Sequence, residues 1–366
     1  MDRIEFFREV FEGSASMEHN EITNIRLNAD GSAIVILDQA ALPGETKFVE
    51  LRTIEEMHNA ISTLMVRGAP AIGIFAAFAL YIVARRSTAE NYGDFRDEIM
   101  RSSAFLNSSR PTAYNLENQL RRMEALVAGL AGEPLPSIVG AMRREAESIQ
   151  DEDARMCRAI SEYGLSLISD GNGVMTYCNA GPLATSRFGT ALGPIMLAKE
   201  LGWDLHVYSC ETRPLLQGAR LTAYELNSAG IDITLICDNM ASIVMSGGKV
   251  DAVFAGCDRL ARNGDAANKI GTSGLAIIAR HYDVPFYVFC PSSTFDPGCA
   301  TGKDIDIELR SQSEIKELHF SAPVAPADVK CYNPAFDVTD NGLITAIVTE
   351  KGIFNAPYDK TLAKLL

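Results

Sequence analysis

The sequence predicts an α/β fold in which a smaller, mainly helical N-terminal domain with a short β segment at its start precedes a doubly wound, mostly parallel sheet. Before residue 168 the apolar residues recur mainly with the helical period. After residue 173 short apolar strands alternate with amphipathic segments, as the βα units of a parallel sheet require. The turn-rich run Asp170-Gly171-Asn172-Gly173 separates the two patterns. We therefore expect two domains, residues 1–168 and 169–366.

The composition indicates a folded protein that does not bind polyanions. Of its 366 residues, 47% are hydrophobic and 22% are charged, which is typical of a protein with a large core. The net charge of −14 argues against partners such as nucleic acid or an anionic membrane. The eight cysteines form no CxxC pair, so neither a zinc site nor a disulfide framework is expected. A reducing, cytoplasmic location fits this pattern best.

The chain is expected to begin with a β-hairpin. Strands over Ile22–Asn28 and Ala33–Asp38 flank a glycine-containing turn, and Phe48–Leu51 adds a third strand. A helical stripe starts at Thr53. The longest apolar run, Ala69–Ala84, has 16 residues, which is short of a bilayer span and indicates a buried helix. Further helices are expected over Gly93–Leu106, Thr112–Leu130 and Ser137–Ile168, the last either bent or broken around Asp151–Asp153.

Five apolar strands are expected in the second domain, and polar residues follow each of them. In a doubly wound sheet, ligands bind at the carboxyl ends of the strands. A polar residue ends a strand in many proteins because turns need it, but five such ends on one edge describe a pocket. The strands are Val174–Tyr177, Leu205–Ser209, Ile233–Ile236, Val250–Ala255 and Pro285–Phe289, and the helical connections lie in Thr190–Leu201, Gln217–Ala229, Met240–Ser246 and Gly271–Tyr282.

Cys178 stands where the first of these strands meets a glycine-rich loop and then a helix, in VMTYCNAGPLATSRFGTALG. A strand that ends at a helix N-terminus presents free backbone N–H groups and a positive partial charge. Such a place can hold an anion or stabilise a thiolate. Cys178 is therefore a candidate for chemistry.

Two helix starts carry an arginine followed by a proline. In Arg67-Gly68-Ala69-Pro70 the small residues allow close approach of a ligand to the backbone, and the proline suits the first helical turn. The arrangement Arg110-Pro111-Thr112 repeats the device. A helix start with a solvated arginine is the alternative for each alone, but the pair favours phosphate binding.

Asp258 directly follows an apolar strand in VFAGCDRLARNGDAANKIGT. Burial there would raise its pKa toward that of a general base, whereas an ion pair with Arg259 or Arg262 would lower it. Asn268 and Lys269 precede a helix and can complete an anion site, or the lysine can be a surface residue. Gln217 can hold a phosphate oxygen or a sugar hydroxyl, or it can cap its helix.

Five segments, in this order, resemble the S-methyl-5-thioribose-1-phosphate isomerase family. The segments are MVRGAPAIGI, SRPTAYNL, YCNAGPLAT, ETRPLLQGARLTAYEL and AGCDRLARNGDAANKIGT, within about Thr53 to Asp296. This family belongs to a superfamily with ribose-1,5-bisphosphate isomerase and the regulatory subunits of eukaryotic initiation factor two B. The resemblance implies a Rossmann-like C-terminal domain and a homodimer.

The resemblance also implies roles for individual residues. The family's catalytic cysteine and aspartate fall on Cys178 and Asp258. Three positions, Tyr177, Pro182 and Cys257, depart from the family's usual residues, and so does the later segment PSSTFDPGCATGKDIDIELR, which the family usually ends in IEER. They leave the substituent at carbon five of the sugar open between methylthio, deoxy and phosphorylated forms. The family's phosphate-binding groups fall on Arg67, Gly68, Ala69, Arg110, Gln217, Asn268 and Lys269.

The expected function is a metal-free aldose–ketose isomerisation of a pentose 1-phosphate, with no cofactor. The competing class is a non-catalytic sensor that binds a sugar phosphate or nucleotide, as the initiation-factor relatives imply. A sensor would need neither Cys178 nor Asp258, so their presence favours an enzyme. An NAD-binding protein is a weaker alternative, since no GxGxxG follows a predicted strand with an acidic residue at the expected distance.

Overall fold

The computed structural model describes residues 24–365. They divide into two compact units. The helical unit consists of residues 24–156 and 182–189, and the sheet unit of residues 157–181 and 190–365. The division between the two units falls after residue 156, within one long helix. The domain boundary predicted from the sequence lies after residue 168, and it stays a prediction.

The helical unit opens with a three-stranded antiparallel sheet, β1 (Ile25–Leu27), β2 (Ile34–Leu37) and β3 (Phe48–Leu51). The predicted hairpin is thus present, although Ile22 lies outside the described residues. The Asn28 side-chain oxygen closes the turn by accepting the Ser32 backbone N–H at 2.8 Å. Turns favour asparagine for this kind of local bond.

Five helices follow in the order that the periodicity predicts. The first is fixed by a capping box in which Thr53 and Glu56 satisfy each other's backbone N–H groups. The second is long and apolar enough to cross a membrane by length and composition alone, yet 78% of it is buried in the structure, as in a core helix. The bounds are α1 Ile54–Ser62, α2 Ala69–Arg86, α3 Tyr92–Ser108, α4 Tyr114–Gly129 and α5 Leu135–Leu165.

The break predicted around Asp151–Asp153 is wrong, because α5 runs unbroken through those residues. Acidic residues cost a helix little when no glycine or proline accompanies them. Asp153 is buried, and its carboxylate accepts the Ser186 backbone N–H at 2.7 Å. The charge that suggested a break therefore makes a tertiary hydrogen bond inside the helical unit.

The sheet unit contains the predicted doubly wound sheet, so the α/β fold class is confirmed. Seven strands lie in the order β14-β13-β10-β7-β4-β5-β6, and only β14 is antiparallel to its neighbour. The strands are β4 Gly173–Tyr177, β5 His206–Cys210, β6 Asp232–Ile236, β7 Ala252–Gly256, β10 Phe286–Phe289, β13 Ala346–Thr349 and β14 Gly352–Phe354.

Short helices lie between or after the strands of the sheet unit. A π-helical turn, Gly218–Thr222, leads directly into one of them and widens its first turn. Such turns are rare and often occur at functional sites. The helices are α6 Gly193–Glu200, α7 Ala223–Ser228, α8 Ala241–Ser246, α9 Thr272–His281, α10 Ser313–Lys316 and α11 Tyr358–Thr361.

A second, four-stranded sheet was missed by the sequence analysis. Its order is β11-β8-β9-β12, with β8 Arg259–Ala261, β9 Ala266–Lys269, β11 Phe295–Asp296 and β12 Phe336–Thr339. The Asp265 carboxylate joins its parts, since it accepts backbone N–H groups from Gly302 at 2.9 Å and Asn341 at 3.0 Å. Hydrogen bonds from the Asn263 side chain and from these two N–H groups outweigh the effect of burial and hold the pKa of Asp265 below its usual value.

Candidate active site

The carboxyl edge of the seven-stranded sheet brings the two predicted catalytic residues to neighbouring strand ends. Strand β4 pairs with β7, and Tyr177 lies opposite Ala255 in the register. Cys178 directly follows the first strand, and Asp258 comes two residues after the end of the second. Adjacent parallel strands are about 4.8 Å apart, so this register sets both residues at one edge.

Cys178 is held in an unusual backbone conformation. It is buried, with 7% of its surface exposed, and has φ of 65°, in the left-handed region. Its N–H donates to the Thr212 hydroxyl at 2.8 Å, and its carbonyl accepts from the Thr222 hydroxyl at 2.6 Å. A non-glycine residue in this region costs about 1–3 kcal/mol and persists only when its surroundings enforce it.

The Thr212 backbone is also left-handed, with φ of 66°. A β-branched residue in this region is a true outlier. Its hydroxyl donates to the Cys210 carbonyl at 3.0 Å, and its N–H donates to the Asp238 carboxylate at 2.8 Å. The other oxygen of Asp238 accepts the Arg213 N–H at 2.8 Å. The ends of β4, β5 and β6 are therefore joined by hydrogen bonds through this threonine and this aspartate.

Asn179, the residue after the cysteine, forms a buried hydrogen bond with the carboxylate of Glu225. The Asn179 side-chain nitrogen donates to Glu225 at 2.5 Å and to the Thr222 hydroxyl at 3.2 Å. Glu225 is 6% exposed. A Cβ atom on Gly181 would lie 2.5 Å from the Glu225 carboxylate, so a larger residue here would require the Glu225 side chain to move. Sequence analysis missed Glu225, because its position in α7 looks like that of any polar helix residue.

Tyr177, which precedes the cysteine, packs against a glycine at the start of α9. Burial, followed by the nearby Asp238 carboxylate, raises the pKa of the Tyr177 hydroxyl well above its usual value. Gly271 has φ of 102°, and a Cβ atom built on it would lie 1.9 Å from that hydroxyl oxygen. No other residue type fits this contact without movement.

Asp258 is half-buried, and its N–H donates to the Ala267 carbonyl at 2.9 Å. This hydrogen bond connects the backbone at Asp258 to strand β9, whose last two residues are the predicted anion-binding residues Asn268 and Lys269. Arg259, one of the two suggested ion-pair partners, donates to the carboxylate of Asp296 from Nε at 2.9 Å and from a terminal nitrogen at 2.5 Å. That carboxylate therefore occupies the guanidinium edge of Arg259.

Asn268 and Lys269 are buried rather than surface residues. The Asn268 amide donates to the Thr272 hydroxyl at 3.0 Å. The Lys269 ammonium donates to the Ala335 carbonyl at 2.9 Å and lies 4.5 Å from the centre of the Phe336 ring. A buried ammonium is costly without partners, and here the carbonyl, the ring face and the charge of the nearby Asp337 carboxylate offset that cost.

Gln217 is also buried, and among the described residues its side-chain oxygen has no hydrogen-bond partner. A buried polar atom without a partner costs about 1–3 kcal/mol, which indicates a missing donor. Gln217 stands directly before the π-helical turn that carries Thr222. Gly218, the first residue of that turn, lies so close to the Cys210 carbonyl that a Cβ atom would be 1.8 Å from its oxygen.

The remaining predicted residues belong to the helical unit. Gly68 precedes α2 with φ of 97°, and a Cβ atom on it would lie 2.5 Å from the Ala184 Cα. No side chain caps the N-terminus of α2, where Ala69 is the first residue. Arg67 and Arg110 are half-buried. The backbone N–H groups at a helix start of this kind can accept an anion, so phosphate binding at Arg67, Gly68, Ala69 and Arg110 stays a prediction.

The starts of α2 and α4 lie side by side. A Cβ atom on Gly73, the fifth residue of α2, would be 2.9 Å from the carbonyl oxygen of Asn115, the second residue of α4. Arg67 precedes one start and Arg110 the other. Each of the two predicted phosphate-binding arginines therefore lies within four residues of one of two helix starts that pack together. In residues 24–365 no group of three or more histidine, cysteine, aspartate or glutamate side chains could hold a metal ion.

The chain is similar to known proteins over most of its length. The initiation factor 2 subunit family matches residues 65–356. A methylthioribose-1-phosphate isomerase from Symbiobacterium thermophilum is 56% identical over 345 residues, covering 94% of this chain and 96% of that protein. A 5-deoxyribose 1-phosphate isomerase from Petrotoga mobilis is 52% identical over 344 residues, covering 94% and 99%. The crystal structure of 5-methylthioribose 1-phosphate isomerase from Pyrococcus horikoshii has a TM-score of 0.87 and 38% identity, covering 95% and 96%.

Replacing Gly271 with alanine should lower the free energy of unfolding by about 1–3 kcal/mol, because the new methyl group meets the Tyr177 hydroxyl and the left-handed backbone disfavours it. Gly274 in the same helix is the matched control, since a Cβ atom there meets nothing within 4 Å. Gly274→Ala should leave stability unchanged or raise it by about 0.5–1 kcal/mol. Urea unfolding measures both, and equal effects of the two changes would contradict the packing described.

Proposed function

This chain belongs to the initiation factor 2 subunit family, and from that premise we propose that it is an aldose–ketose isomerase of a pentose 1-phosphate. The observation that carries the proposal is the set of isomerase relatives at 52–56% identity over 94% of the chain. They support 5-methylthioribose 1-phosphate, a methionine-salvage substrate, and 5-deoxyribose 1-phosphate as the alternative. Ribose 1,5-bisphosphate is the third candidate.

The chemistry of such a substrate dictates which groups are needed. Phosphate on the anomeric oxygen prevents a free aldehyde, so the bond between carbon one and the ring oxygen must break. The ring oxygen gains a proton, the hydroxyl on carbon two loses one, and a hydrogen moves from carbon two to carbon one. The product is an open ketose that keeps its phosphate. Since one carbon is reduced as its neighbour is oxidised, the reaction needs no external oxidant or reductant.

We assign the proton transfers to Asp258 and the hydrogen at the reacting carbons to Cys178. An acid and a base must act in turn on the two oxygens, and one carboxyl group can accept the hydroxyl proton and return a proton to the ring oxygen. The hydrogen can move directly as hydride, or as a proton through an enol with the cysteine sulfur as carrier. The position of both residues at neighbouring strand ends supports these roles.

We assign the phosphate to the cationic and backbone donors. The uncapped start of α2 at Gly68 and Ala69, with Arg67 and Arg110, provides donors of the kind that bind phosphate. Asn268 and Lys269 supply an amide and an ammonium. The buried oxygen of Gln217 is an acceptor, so we assign it to a sugar hydroxyl rather than to a phosphate oxygen.

The proposal is tested by incubating the purified protein with 5-methylthioribose 1-phosphate, 5-deoxyribose 1-phosphate and ribose 1,5-bisphosphate and measuring ketose formation. We expect the first or second to give product with the highest kcat/KM. No ketose from any of the three would overturn the proposal. That result would leave sugar-phosphate sensing, the alternative suggested by the family's initiation-factor members, to be measured by calorimetric binding.

Cys178→Ser and Asp258→Asn should each lower kcat by about 10²-fold or more if these groups carry out acid–base chemistry. Cys237→Ser and Asp328→Asn are matched controls, because both side chains are exposed and neither has a proposed role. The controls should keep the wild-type rate. A near-normal kcat in either test variant would remove that residue from the mechanism.

Arg67→Ala should raise KM about tenfold or more, because a charge-assisted hydrogen bond to phosphate contributes about 1.5–3 kcal/mol. Arg96→Ala serves as the control, since Arg96 lies on the same unit and its only salt bridge is with the exposed neighbour Asp97 among the residues described here. Steady-state kinetics give both parameters. Unchanged kcat and KM in Arg67→Ala would exclude Arg67 from phosphate binding.

We also propose that the protein is a homodimer. Strand β6 is an edge of the seven-stranded sheet, and two apolar side chains, Leu235 in this strand and Ile243 in the helix that follows it, are 49% and 71% exposed. Unpaired edges and contiguous apolar surface favour association with another chain. Light scattering should therefore give twice the 39.7 kDa mass of one chain. A single-chain mass at micromolar concentration would contradict the proposal.

A further inference from the structure

Both the N–H and the carbonyl of Cys178 form hydrogen bonds with hydroxyl groups that are distant in sequence. Its N–H donates to Thr212, 34 residues away, and its carbonyl accepts from Thr222, 44 residues away. Both threonines are fully buried. No helix or sheet ladder could make these bonds, because Cys178 lies beyond the end of β4.

Each hydroxyl is used twice, once as acceptor and once as donor. Thr212 accepts from Cys178 and donates to the Cys210 carbonyl. Thr222 accepts from the Asn179 amide and donates to the Cys178 carbonyl. A hydroxyl has one proton and two lone pairs, so each group is satisfied in this arrangement. Valine has the same shape but can make none of these four bonds.

Two carboxylates, the half-buried Asp238 and the buried Glu225, hold the threonines and their neighbours in place. The Asp238 carboxylate binds the backbone N–H of Thr212 at 2.8 Å, and the Glu225 carboxylate binds the Asn179 amide at 2.5 Å. Hydrogen bonds to charged groups are stronger than those between neutral groups. The hydroxyl pair is therefore anchored on both sides of Cys178.

We propose that Thr212 and Thr222 are positioning residues that fix the sulfur of Cys178 for the reaction. Without them, a left-handed cysteine at φ of 65° would relax toward an ordinary conformation and its side chain would point elsewhere. A displacement of about 1 Å at a reacting group can lower a rate by about 10²-fold. The proposal rests on the proposed function, because it gives Cys178 a part in catalysis.

The kinetic experiment compares Thr212→Val and Thr222→Val with Thr212→Ser and Thr222→Ser. Each valine variant should lower kcat about tenfold or more and change KM less than about threefold, because the phosphate contacts are untouched. Each serine variant keeps the hydroxyl and should stay within about threefold of wild type. Thr234→Val, at an exposed position of β6, controls for the substitution itself. Equal kcat in the valine and serine variants would overturn the proposal.

A second readout needs no substrate and separates this proposal from the proposed function. Cys178 alkylation by iodoacetamide, followed by mass spectrometry, should be at least about threefold faster in the valine variants, because a loosened loop exposes a buried thiol. The exposed thiol of Cys237 is the internal control and should react at one rate throughout. Unchanged labelling of Cys178 would overturn positioning, whereas failure of the wild type to form any ketose would overturn only the enzymatic function.

Asp238→Asn provides a variant for the case in which a valine variant does not fold. It keeps one side-chain oxygen but sets an amide NH₂ against one of the two backbone N–H groups that Asp238 binds. Faster Cys178 labelling and lower kcat are expected here as well. Wild-type values for both in a folded Asp238→Asn protein would count against the proposal.

Discussion

The site depends on a left-handed backbone at the end of two neighbouring strands. Cys178 and Thr212 both adopt positive φ, and they hydrogen-bond to each other across the ends of β4 and β5. In a parallel sheet the carboxyl ends of the strands lie at one edge, but the sheet does not determine the backbone conformation of the loop after each strand. The buried hydroxyls and the Asp238 carboxylate make that turn specific.

Close packing against glycine reinforces the same edge. Gly181, Gly218 and Gly271 each stand where a Cβ atom would fall within 2.5 Å of a neighbouring atom. Their neighbours are the Glu225 carboxylate, the Cys210 carbonyl and the Tyr177 hydroxyl, all of which also take part in the polar network around Cys178. Backbone and polar groups are thus in direct contact, so small changes in one should move the other.

Much of the fold was predictable because the hydrophobic residues of most segments recur with a clear helical or strand period. The five predicted strands of the large sheet and the helices of the first unit differ from the observed bounds by only a few residues. The small sheet was not predictable, since Ala266–Lys269 is only four residues long and shows no alternation between apolar and polar side chains.

The candidate site was predictable only in part. Cys178 and Asp258 could be singled out because they follow apolar strands, which is a local signal. The roles of Thr212, Thr222 and Glu225 depend on contacts with residues 34 to 46 positions away, and no local pattern reveals such contacts. Sequence reasoning therefore finds the reactive groups more readily than the groups that hold them.

The eight residues 182–189 belong to the helical unit, although the residues on both sides of them belong to the sheet unit. Their carbonyls accept hydrogen bonds from the Asn24 and Gln39 amides, and the Ser186 N–H is bound by Asp153. The two compact units are therefore interleaved along the chain rather than consecutive. A fragment beginning at residue 157 would carry this loop without its partners, so neither unit can be obtained intact by a single cut.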